Sequence, residues 1–320
     1  EAFDNTTSPD NTYRASSEVF GTGTRTALSE TNQVVWSEED RIAIFDGSVA
    51  GQAYQIIDSY AGGSTGEFSL MEGLVTTGSS DDMENIAAIY PFTEQLGVSS
   101  TEDAEYEITG ISFPTDQTYS EGSFSNGAFP MVALTAEGNR SLSFKNVGGV
   151  LKLTLIGQYA VSRITIKGHA GETLSGMAKV TVGSDGIPSV EMSPDAAETV
   201  NLICEPAVQL DPESGKDFYI SIPPTDFEAG FTITVTDTDG NTYRKSTSVA
   251  NPVLRSMILV MPETDLDTDI AYEATENYVD LGFGRTSDIT SYDETSGSLS
   301  VLYSKGSIPR LREGNAIVLP

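Results

Sequence analysis

The sequence predicts an all-β protein, with two tandem antiparallel β-sandwich domains and a carboxy-terminal β extension. Apolar and polar residues alternate with a period of two, as they do along strands that have one face in a core and one face in water. Thirty glycines and fourteen prolines fit a chain with many turns. Helical periodicity is scarce throughout the sequence.

The clearest strands lie between residues 129 and 182. Leu151, Leu153 and Leu155 alternate with polar residues, so they are predicted to share the buried face of one strand. Ile164 and Ile166 repeat the pattern in a second strand. Alternation of this kind is typical of antiparallel strands that turn their second face to water.

The first predicted strand is Tyr13–Phe20, with Tyr13, Ala15 and Val19 on one face. The other elements follow from alternation or from short apolar runs between turn residues. They are predicted at Glu67–Leu70, Ile86–Tyr90, Tyr106–Phe113 and Met131–Leu134, in the hairpin Phe231–Tyr243, and at Tyr278–Phe283, Leu299–Tyr303 and Asn315–Leu319.

These elements divide the chain into four parts. Residues 1–12 are polar and form a predicted flexible leader, and residues 13–140 form the first β-sandwich domain. Residues 141–263 form the second domain. Residues 264–320 begin with an acidic stretch and are predicted to be a linker with the start of a further β unit, or a tail that needs a partner to bury it. A length of 320 residues agrees with two domains of ordinary size.

The chain is strongly acidic, with a formal net charge of −30. Residues 1–140 carry 23 acidic and only four basic side chains. Such a surface repels phosphate backbones and anionic lipids, so the charge argues against nucleic acid as a partner and against direct binding to a membrane surface. It favours solubility in an exposed, salty setting.

The single cysteine and the apolar runs do not determine the cellular location of the protein. Cys204 lies in an apolar strand-like run, and we expect it to be a small core residue. No apolar run approaches the length that is needed to span a bilayer. The chain opens at Glu1 without a signal peptide, so we interpret it as a processed form or a trimmed piece of a longer protein.

Four motifs follow one another in the central part of the chain. They are Phe-Pro-Met-Val-Ala at 129–133, Phe-Lys-Asn-Val-Gly-Gly-Val-Leu-Lys-Leu at 144–153, Ser-Arg-Ile-Thr-Ile-Lys-Gly at 162–168 and Leu-Ser-Gly-Met-Ala at 174–178. This ordered run resembles the fimbrillin family of Bacteroides-type bacteria, the type V pilin subunits and associated surface lipoproteins. The resemblance covers residues 13–263 and is strongest at 129–183 and 219–261.

The resemblance implies a fold, a location and a set of partners. Each sandwich would be transthyretin-like, and the protein would be exported to the cell surface or outer membrane, in a fimbrium. Its partners would be other fimbrial subunits, joined through strand donation. A membrane would be reached only through a lipid anchor outside the visible sequence.

The resemblance also implies a maturation site. In related fimbrillins a protease cuts after an arginine near the amino terminus, and the first strand is lost. Arg25, in a loop of glycine and threonine, is the best matching position, and Arg14 is the second choice. Trp36 and an acidic turn follow, as in the family, although Glu39-Asp40 stands where the family has Gly-Asp.

No catalytic, cofactor-binding or metal site is predicted. The one histidine, His169, lies in a turn after a strand and is expected to face solvent. Residues 62–66 have the G-x-S-x-G spacing of a nucleophile elbow, but a strand follows where the elbow needs a helix.

The turn at 237–241 also does not match the calcium-binding loop of an EF-hand. Asp237, Asp239 and Asn241 match the first three ligand positions. However, Thr242 replaces the required glycine and Ser248 stands where the bidentate glutamate should be. The alternating residues on both sides predict a hairpin turn instead.

Two functions remain open from the sequence. The first is a structural and adhesive cell-surface protein, a fimbrial subunit or a tip or accessory fimbrillin that assembles by donor-strand exchange. The alternative is a glycan-binding surface lipoprotein that does not polymerise. Glycans or proteins of a host or of other microbes are candidate ligands in either case. Five tail aromatics could form a recognition surface: Tyr272, Tyr278, Phe283, Tyr292 and Tyr303.

Overall fold

The computed structural model describes residues 12–23, 34–47, 50–78, 80–81, 83–101 and 105–267, and the backbone of residues 287–293 and 298–303. Within these residues the regular structure is β-strand, apart from one turn of 3-10 helix at Asp58–Tyr60. The prediction of an all-β chain is therefore confirmed. No helix in the described part of the chain is long and apolar enough to cross a membrane.

The strands are numbered in chain order. The first twelve are β1 Thr12–Ser17, β2 Gly21–Gly23, β3 Arg41–Phe45, β4 Gln52–Ile56, β5 Thr65–Val75, β6 Ser80–Asp81, β7 Asn85–Tyr90, β8 Gly97–Ser100, β9 Tyr106–Phe113, β10 Asp116–Thr118, β11 Met131–Ala136 and β12 Ser141–Asn146. The next ten are β13 Gly149–Ile156, β14 Ala160–Gly168, β15 Gly176–Val182, β16 Pro188–Met192, β17 Thr199–Gln209, β18 Lys216–Ile222, β19 Phe231–Asp237, β20 Thr242–Thr247, β21 Met257–Val260 and β22 Thr264–Asp265. The last two are β23 Ser287–Asp293 and β24 Ser298–Tyr303.

Seven strands close into a barrel, in the order β1-β12-β11-β7-β3-β4-β5. Its interior is filled by aromatic and aliphatic side chains, with Trp36 at the centre of an aromatic cluster. The rings of Phe68, Tyr90 and Phe144 lie 5.0, 5.4 and 5.6 Å from the Trp36 ring, edge-on in each case. Edge-to-face packing of this kind adds to the stabilisation from apolar burial.

A five-stranded sheet in the order β16-β15-β9-β8-β6 covers one outer wall of the barrel. Strand β3 shows how the wall is built, because Ile42 and Ile44 point into the barrel while Ala43 and Phe45 point to the covering sheet. A strand that is buried on both faces reads as a continuous apolar run, and β3 and β7 have such sequences.

Two further sheets form a sandwich, in the orders β10-β17-β14-β19-β20 and β18-β13-β21-β2. Leu151, Leu153 and Leu155 of β13 share its core with Ile164 and Ile166 of β14, as the alternation predicts. Cys204 lies in the same core, 4% exposed, and burial raises the pKa of its thiol to about 12. An inert core cysteine is therefore the outcome for this residue.

The second face of β13 is not in water along its whole length. Val150 is fully buried and belongs to the barrel core, together with Ile258 of β21. Lys152 pairs with Asp217 at 2.7 Å and is largely buried. The expectation of a solvated second face is therefore wrong at the barrel end of this strand, because the barrel packs against it.

Strand pairing links the two halves of the chain across residue 140. Strand β12 lies in the barrel, β15 pairs with β9, and β10 pairs with β17. Several of these pairings between distant strands are parallel, including β1 with β12, β10 with β17, and β2 with β21. The antiparallel prediction holds for neighbouring strands and fails at these long-range contacts.

Individual elements agree closely with their predicted positions. Tyr106–Phe113 has the predicted bounds, and the hairpin Phe231–Tyr243 is formed by β19 and β20. The second core extends past residue 263, because Leu266 belongs to it and Thr264 is buried where it pairs with β13. Strand β24 covers Leu299–Tyr303 and pairs with β23, while Tyr278–Phe283 and Asn315–Leu319 lie outside the described residues.

Replacing Leu153 with alanine should lower the free energy of unfolding by about 2–5 kcal/mol, because its side chain is fully enclosed and the cavity cannot close completely. Urea unfolding followed by tryptophan fluorescence and circular dichroism measures the change. The matched control is Leu254→Ala, since Leu254 is 48% exposed and its loss should cost less than about 1 kcal/mol. Equal losses in the two variants would contradict this core assignment.

Candidate functional site

The N-terminal strand β1 has partners on both sides. It runs antiparallel to β5, with Tyr13 opposite Phe68, and parallel to β12, with Ala15 opposite Leu142. Removing β1 from the barrel order leaves the other six strands joined to one another without a break. Strand β1 therefore closes the barrel, and the other six strands are paired with one another without it.

The inward face of β1 contributes to the barrel core. Tyr13 packs edge-on against Tyr54, with ring centroids 5.1 Å apart, and the Arg140 guanidinium lies 4.7 Å over the Tyr13 ring. Ala15 is opposite Gly66 in β5. A Cβ atom at Gly66 would come within 3.2 Å of Trp36, so any larger residue there would require the indole to shift by a few tenths of an ångström.

The predicted face of this strand is correct for two of its three residues. Tyr13 and Ala15 are 3% and 4% exposed, but Val19 is 56% exposed. The expectation for Val19 is wrong because β1 ends at Ser17 and the alternation ends with it. Phe20 takes the core position instead, with its ring 5.1 Å from that of Phe129.

Glu18 receives a set of donors where the chain leaves the barrel. Arg255 donates to its carboxylate from Nη1 at 2.7 Å and from Nη2 at 3.3 Å. The backbone amide of Asn146 donates at 3.0 Å, and the Lys145 Nζ atom lies 3.5 Å away. The three residues that hold the Glu18 carboxylate, Lys145, Asn146 and Arg255, are called the carboxylate clamp.

The clamp is embedded in further contacts between the same three segments. Asn146 is fully buried and donates from Nδ2 to the Ser256 hydroxyl at 2.9 Å. The Ser256 hydroxyl donates to the Val19 carbonyl, and the Gly21 amide donates to the Ser256 carbonyl at 2.8 Å. Strand β2 then continues parallel to β21 in the second sandwich. The segment 12–23 thus joins the barrel to a sheet of the second sandwich.

The electrostatics of the clamp favour an ionised Glu18. Burial of the carboxyl raises its pKa, but the hydrogen bonds from Arg255 and the Asn146 amide outweigh this effect, with help from the charges of Arg255 and Lys145. The net result is a pKa of Glu18 below its usual value. Sequence reasoning missed this pair, since Glu18 and Arg255 are 237 positions apart and no local pattern connects them.

The two candidate maturation residues differ in their setting. Arg14 lies inside β1, where its backbone is paired on both sides and its Nε atom is 3.8 Å from a Glu67 carboxylate oxygen. A protease would have to open the barrel to reach this bond. Arg25 lies outside the described residues.

Trp36 and the acidic turn after it are structural parts of the barrel. Trp36 is 1% exposed and lies in the barrel core. Asp40 is also buried, and burial raises the pKa of its carboxyl. Its oxygens accept the Ser37 amide at 2.7 Å and lie 2.9 Å from the Tyr90 hydroxyl. The Asp40 side chain therefore stabilises the turn at residues 37–40.

The motifs weighed for catalysis take structural positions. His169 is exposed, and its ring nitrogens lie 3.0 Å from the Ala229 carbonyl and 2.7 Å from the Thr232 hydroxyl. The loop at 62–66 pairs with the Trp36 backbone, through Gly62 N to Trp36 O at 2.7 Å and Trp36 N to Gly63 O at 2.9 Å. Strand β5 starts within this loop, at Thr65, so the helix that a nucleophile elbow requires is replaced by a strand.

The carboxylate of Asp237 is occupied by its own turn. Its Oδ1 accepts the Asp239 and Asn241 amides, each at 2.9 Å. Its Oδ2 accepts the Asn241 side-chain amide at 2.8 Å and the Tyr243 hydroxyl at 2.9 Å. These donors close the β19–β20 hairpin, as the hairpin reading predicts. In the described part of the chain, no group of three or more histidine, cysteine or acidic residues could hold a metal ion.

The tail aromatics are not placed by the structure. Tyr272, Tyr278 and Phe283 lie outside the described residues, and Tyr292 and Tyr303 are described only by their backbone, in β23 and β24.

Comparison with known proteins finds similarity among solved structures alone. No protein-family model matches the chain, and no curated protein matches it. A candidate cell adhesion protein from Bacteroides ovatus is 13% identical, with a TM-score of 0.42 over 75% of this chain and 87% of its own. One from Bacteroides uniformis is 14% identical, with a TM-score of 0.40 over 76% of this chain and 91% of its own.

A fimbrial tip protein is also among the similar structures. The tip fimbrial protein Mfa3 of Porphyromonas gingivalis, truncated at its C-terminus, is 11% identical. Its TM-score is 0.24, over 67% of this chain and 79% of its own. The structural neighbours are cell adhesion and fimbrial proteins.

Replacing Glu18 with glutamine should lower the free energy of unfolding by about 1–3 kcal/mol at pH 7, because the charge is removed and one accepting oxygen becomes an NH2 group that cannot accept from Arg255 or the Asn146 amide. The folded-state pKa of Glu18 is depressed below its ordinary value of 4.5. Its contribution is therefore fully present above about pH 4.5 and is lost as the pH falls through the lower folded-state pKa. Urea unfolding between pH 3 and 7 should show a constant difference from wild type that shrinks below about pH 4.5.

The matched control is Glu137→Gln, since Glu137 is exposed in a turn and its loss should change little at any pH. A destabilisation by Glu18→Gln that stays the same down to pH 3 would show that the carboxylate charge is not what the clamp recognises.

Proposed function

We propose that this protein is a structural and adhesive protein of the cell surface, a fimbrial subunit or a tip or accessory fimbrillin. We propose further that it assembles by donor-strand exchange, in which its N-terminal strand leaves and a strand of a neighbouring subunit takes the place. This is strand addition to a sheet, with main-chain hydrogen bonds supplying affinity and side-chain pockets supplying specificity.

The position of β1 is the observation that carries this proposal. When β1 leaves, the facing edges of β5 and β12 lose their hydrogen-bonding partner at the same moment. The places of Tyr13 and Ala15 become an apolar slot that opens into the barrel core. Unpaired strand edges beside an apolar slot form a template for another strand.

The same arrangement makes exchange less costly than unfolding. The six remaining strands keep their own order from β12 to β5, and the Trp36 cluster is held by strands other than β1. A strand that is absent from those contacts can be replaced while the rest of the core stays packed. Removing any one strand of a closed barrel leaves the other six joined, so the pairing order alone does not single out β1. What distinguishes β1 is that it carries none of the three rings packed on Trp36 and comes first among the described strands.

Maturation would precede exchange. Cleavage after Arg25 would separate segment 12–23 from the rest of the chain and leave it held by non-covalent contacts alone. Arg14 is the second choice, and its place inside β1 disfavours it. In this proposal a protease of the cell surface supplies the cut.

The remaining parts of the proposal concern architecture and location. The proposed units, 13–140 and 141–263, would be transthyretin-like, with β12 crossing from the second unit into the barrel of the first. Residues 264–320 would be a linker and the start of a further β unit, or a tail that needs a partner to bury it. The protein would sit at the outer membrane in a fimbrium, attached through a lipid anchor. Its partners would be other fimbrial subunits, with glycans or proteins of a host or of other microbes as adhesion ligands. No catalytic step, cofactor or metal is required for this role.

Limited trypsin treatment should cut the protein after Arg25 and produce self-association. Loss of β1 would open the slot, so the cut protein should form oligomers or bind a donor peptide. Mass spectrometry of the digest locates the cut, and size-exclusion chromatography with light scattering measures the association.

Two variants serve as controls for the trypsin experiment. Arg25→Gln should stay monomeric after the same treatment, whereas Arg14→Gln should be cut and should associate like wild type. A cut after Arg25 that leaves a monomer with no affinity for a donor strand would remove the support for the polymerising role.

A further inference from the structure

Two residues of the carboxylate clamp, Arg255 and Asn146, are also held by contacts that do not involve Glu18. Arg255 also donates from Nη1 to the Asn146 carbonyl at 2.8 Å, so its guanidinium is held by β12 as well as by Glu18. The Asn146 side chain is fixed separately by its hydrogen bond to Ser256. The donors therefore point to the Glu18 position from the barrel and from the second sandwich, and Arg255 and Asn146 each keep a contact that does not involve Glu18.

Removal of segment 12–23 would leave this site unsatisfied. Arg255 and Lys145 would lose the carboxylate that offsets their charges, and the Asn146 amide would lose its acceptor. Both Arg255 and Glu18 are largely buried, with 22% and 18% of their side chains exposed. These exposures hold with segment 12–23 in place. A strand that covers the site again without an acceptor would bury the donors unpaired, and that costs free energy.

We infer that the carboxylate clamp selects the strand that replaces segment 12–23, by requiring an aspartate or glutamate at the position of Glu18. This inference rests on the proposed function and names the specificity of that same site. The occupant is an extended strand of a second protein subunit. Its charge is set by Arg255 and Lys145, which face the vacated position in a chain that is otherwise strongly acidic.

The geometry also sets the spacing of the required residues. Tyr13 and Ala15 are the two core positions, the carboxylate follows three residues after Ala15, and Phe20 returns to the core two residues later. An incoming strand should therefore carry apolar residues at the first, third and eighth positions and an acid at the sixth. A strand with a basic residue at the sixth position would place a third positive charge beside Arg255 and Lys145 and should be rejected.

The test uses the full chain with a site for a sequence-specific protease inserted within residues 24–33. The folded protein is cut, and a fluorescent peptide with the sequence of residues 12–23 is added in excess. A second peptide carries glutamine at the position of Glu18. Fluorescence anisotropy measures the dissociation constant of each peptide for cut wild type, for cut Arg255→Met, and for cut Arg163→Met. The last is the matched control, because Arg163 is an exposed arginine of β14, in the sheet of the second sandwich that does not contain β21.

The glutamate peptide should bind cut wild type and cut Arg163→Met at least about tenfold more tightly than the glutamine peptide, because a charged, two-donor contact is at stake. On cut Arg255→Met the two peptides should differ by less than about threefold. Equal binding of both peptides to wild type would overturn the inference and leave donor-strand exchange standing. Failure of both peptides to bind would instead overturn the proposed function, and the inference with it.

Hydrogen exchange in the uncut chain provides a second readout that does not require strand replacement. In Arg255→Met, the amides of residues 18–21 should exchange at least about tenfold faster than in wild type, and faster than in Arg163→Met. Unchanged exchange at these amides would show that the clamp does not hold the segment and would overturn the inference on its own.

Discussion

The closure of the barrel by its N-terminal strand is the contact on which the rest of the structure depends. Strand β1 satisfies the backbone of β5 on one side and of β12 on the other, and it covers the core with Tyr13 and Ala15. A sheet without this strand would have two unpaired edges beside an apolar slot, and such edges are a template for another strand. Whatever fills the slot, whether the chain's own strand or another, completes the fold.

The segment that closes the barrel also pairs with a sheet of the second sandwich. Strand β2 pairs with β21 after the chain has passed Glu18, and the barrel end of that sheet contributes Val150 and Ile258 to the barrel core. The contacts of Arg255 and Ser256 with segment 12–23 lie at this junction. Filling the slot and holding the two units together are therefore coupled through one short segment. A donor strand long enough to reach β21 would restore both contacts, and a shorter one would restore the barrel alone.

The sequence predicts what alternation and local turns determine. The positions of β9, β13 and β14, the burial of Cys204 and the hairpin at Asp237 all follow from residues that are close together in the chain. Parallel pairings between distant strands leave no local trace, so the partners of β1 and β2 were not predictable. Val19 was misplaced for a related reason, since the end of a strand is decided by its neighbours and not by its own apolar pattern. Glu18 and Arg255 are 237 positions apart, so their contact could be recognised only from the folded structure.

A disulfide between β1 and β5 would test the central claim most directly. Arg14 and Glu67 face each other across these strands, so cysteines at both positions (Arg14→Cys with Glu67→Cys) would lock β1 into the barrel when oxidised. After cleavage in residues 24–33, the oxidised protein should remain monomeric and refuse a donor peptide, and reduction should restore both self-association and peptide binding. Buried Cys204 should not interfere, because its thiol is inert. Association of the oxidised, cut protein at the level of the reduced protein would contradict the account, because the slot would then have no part in assembly.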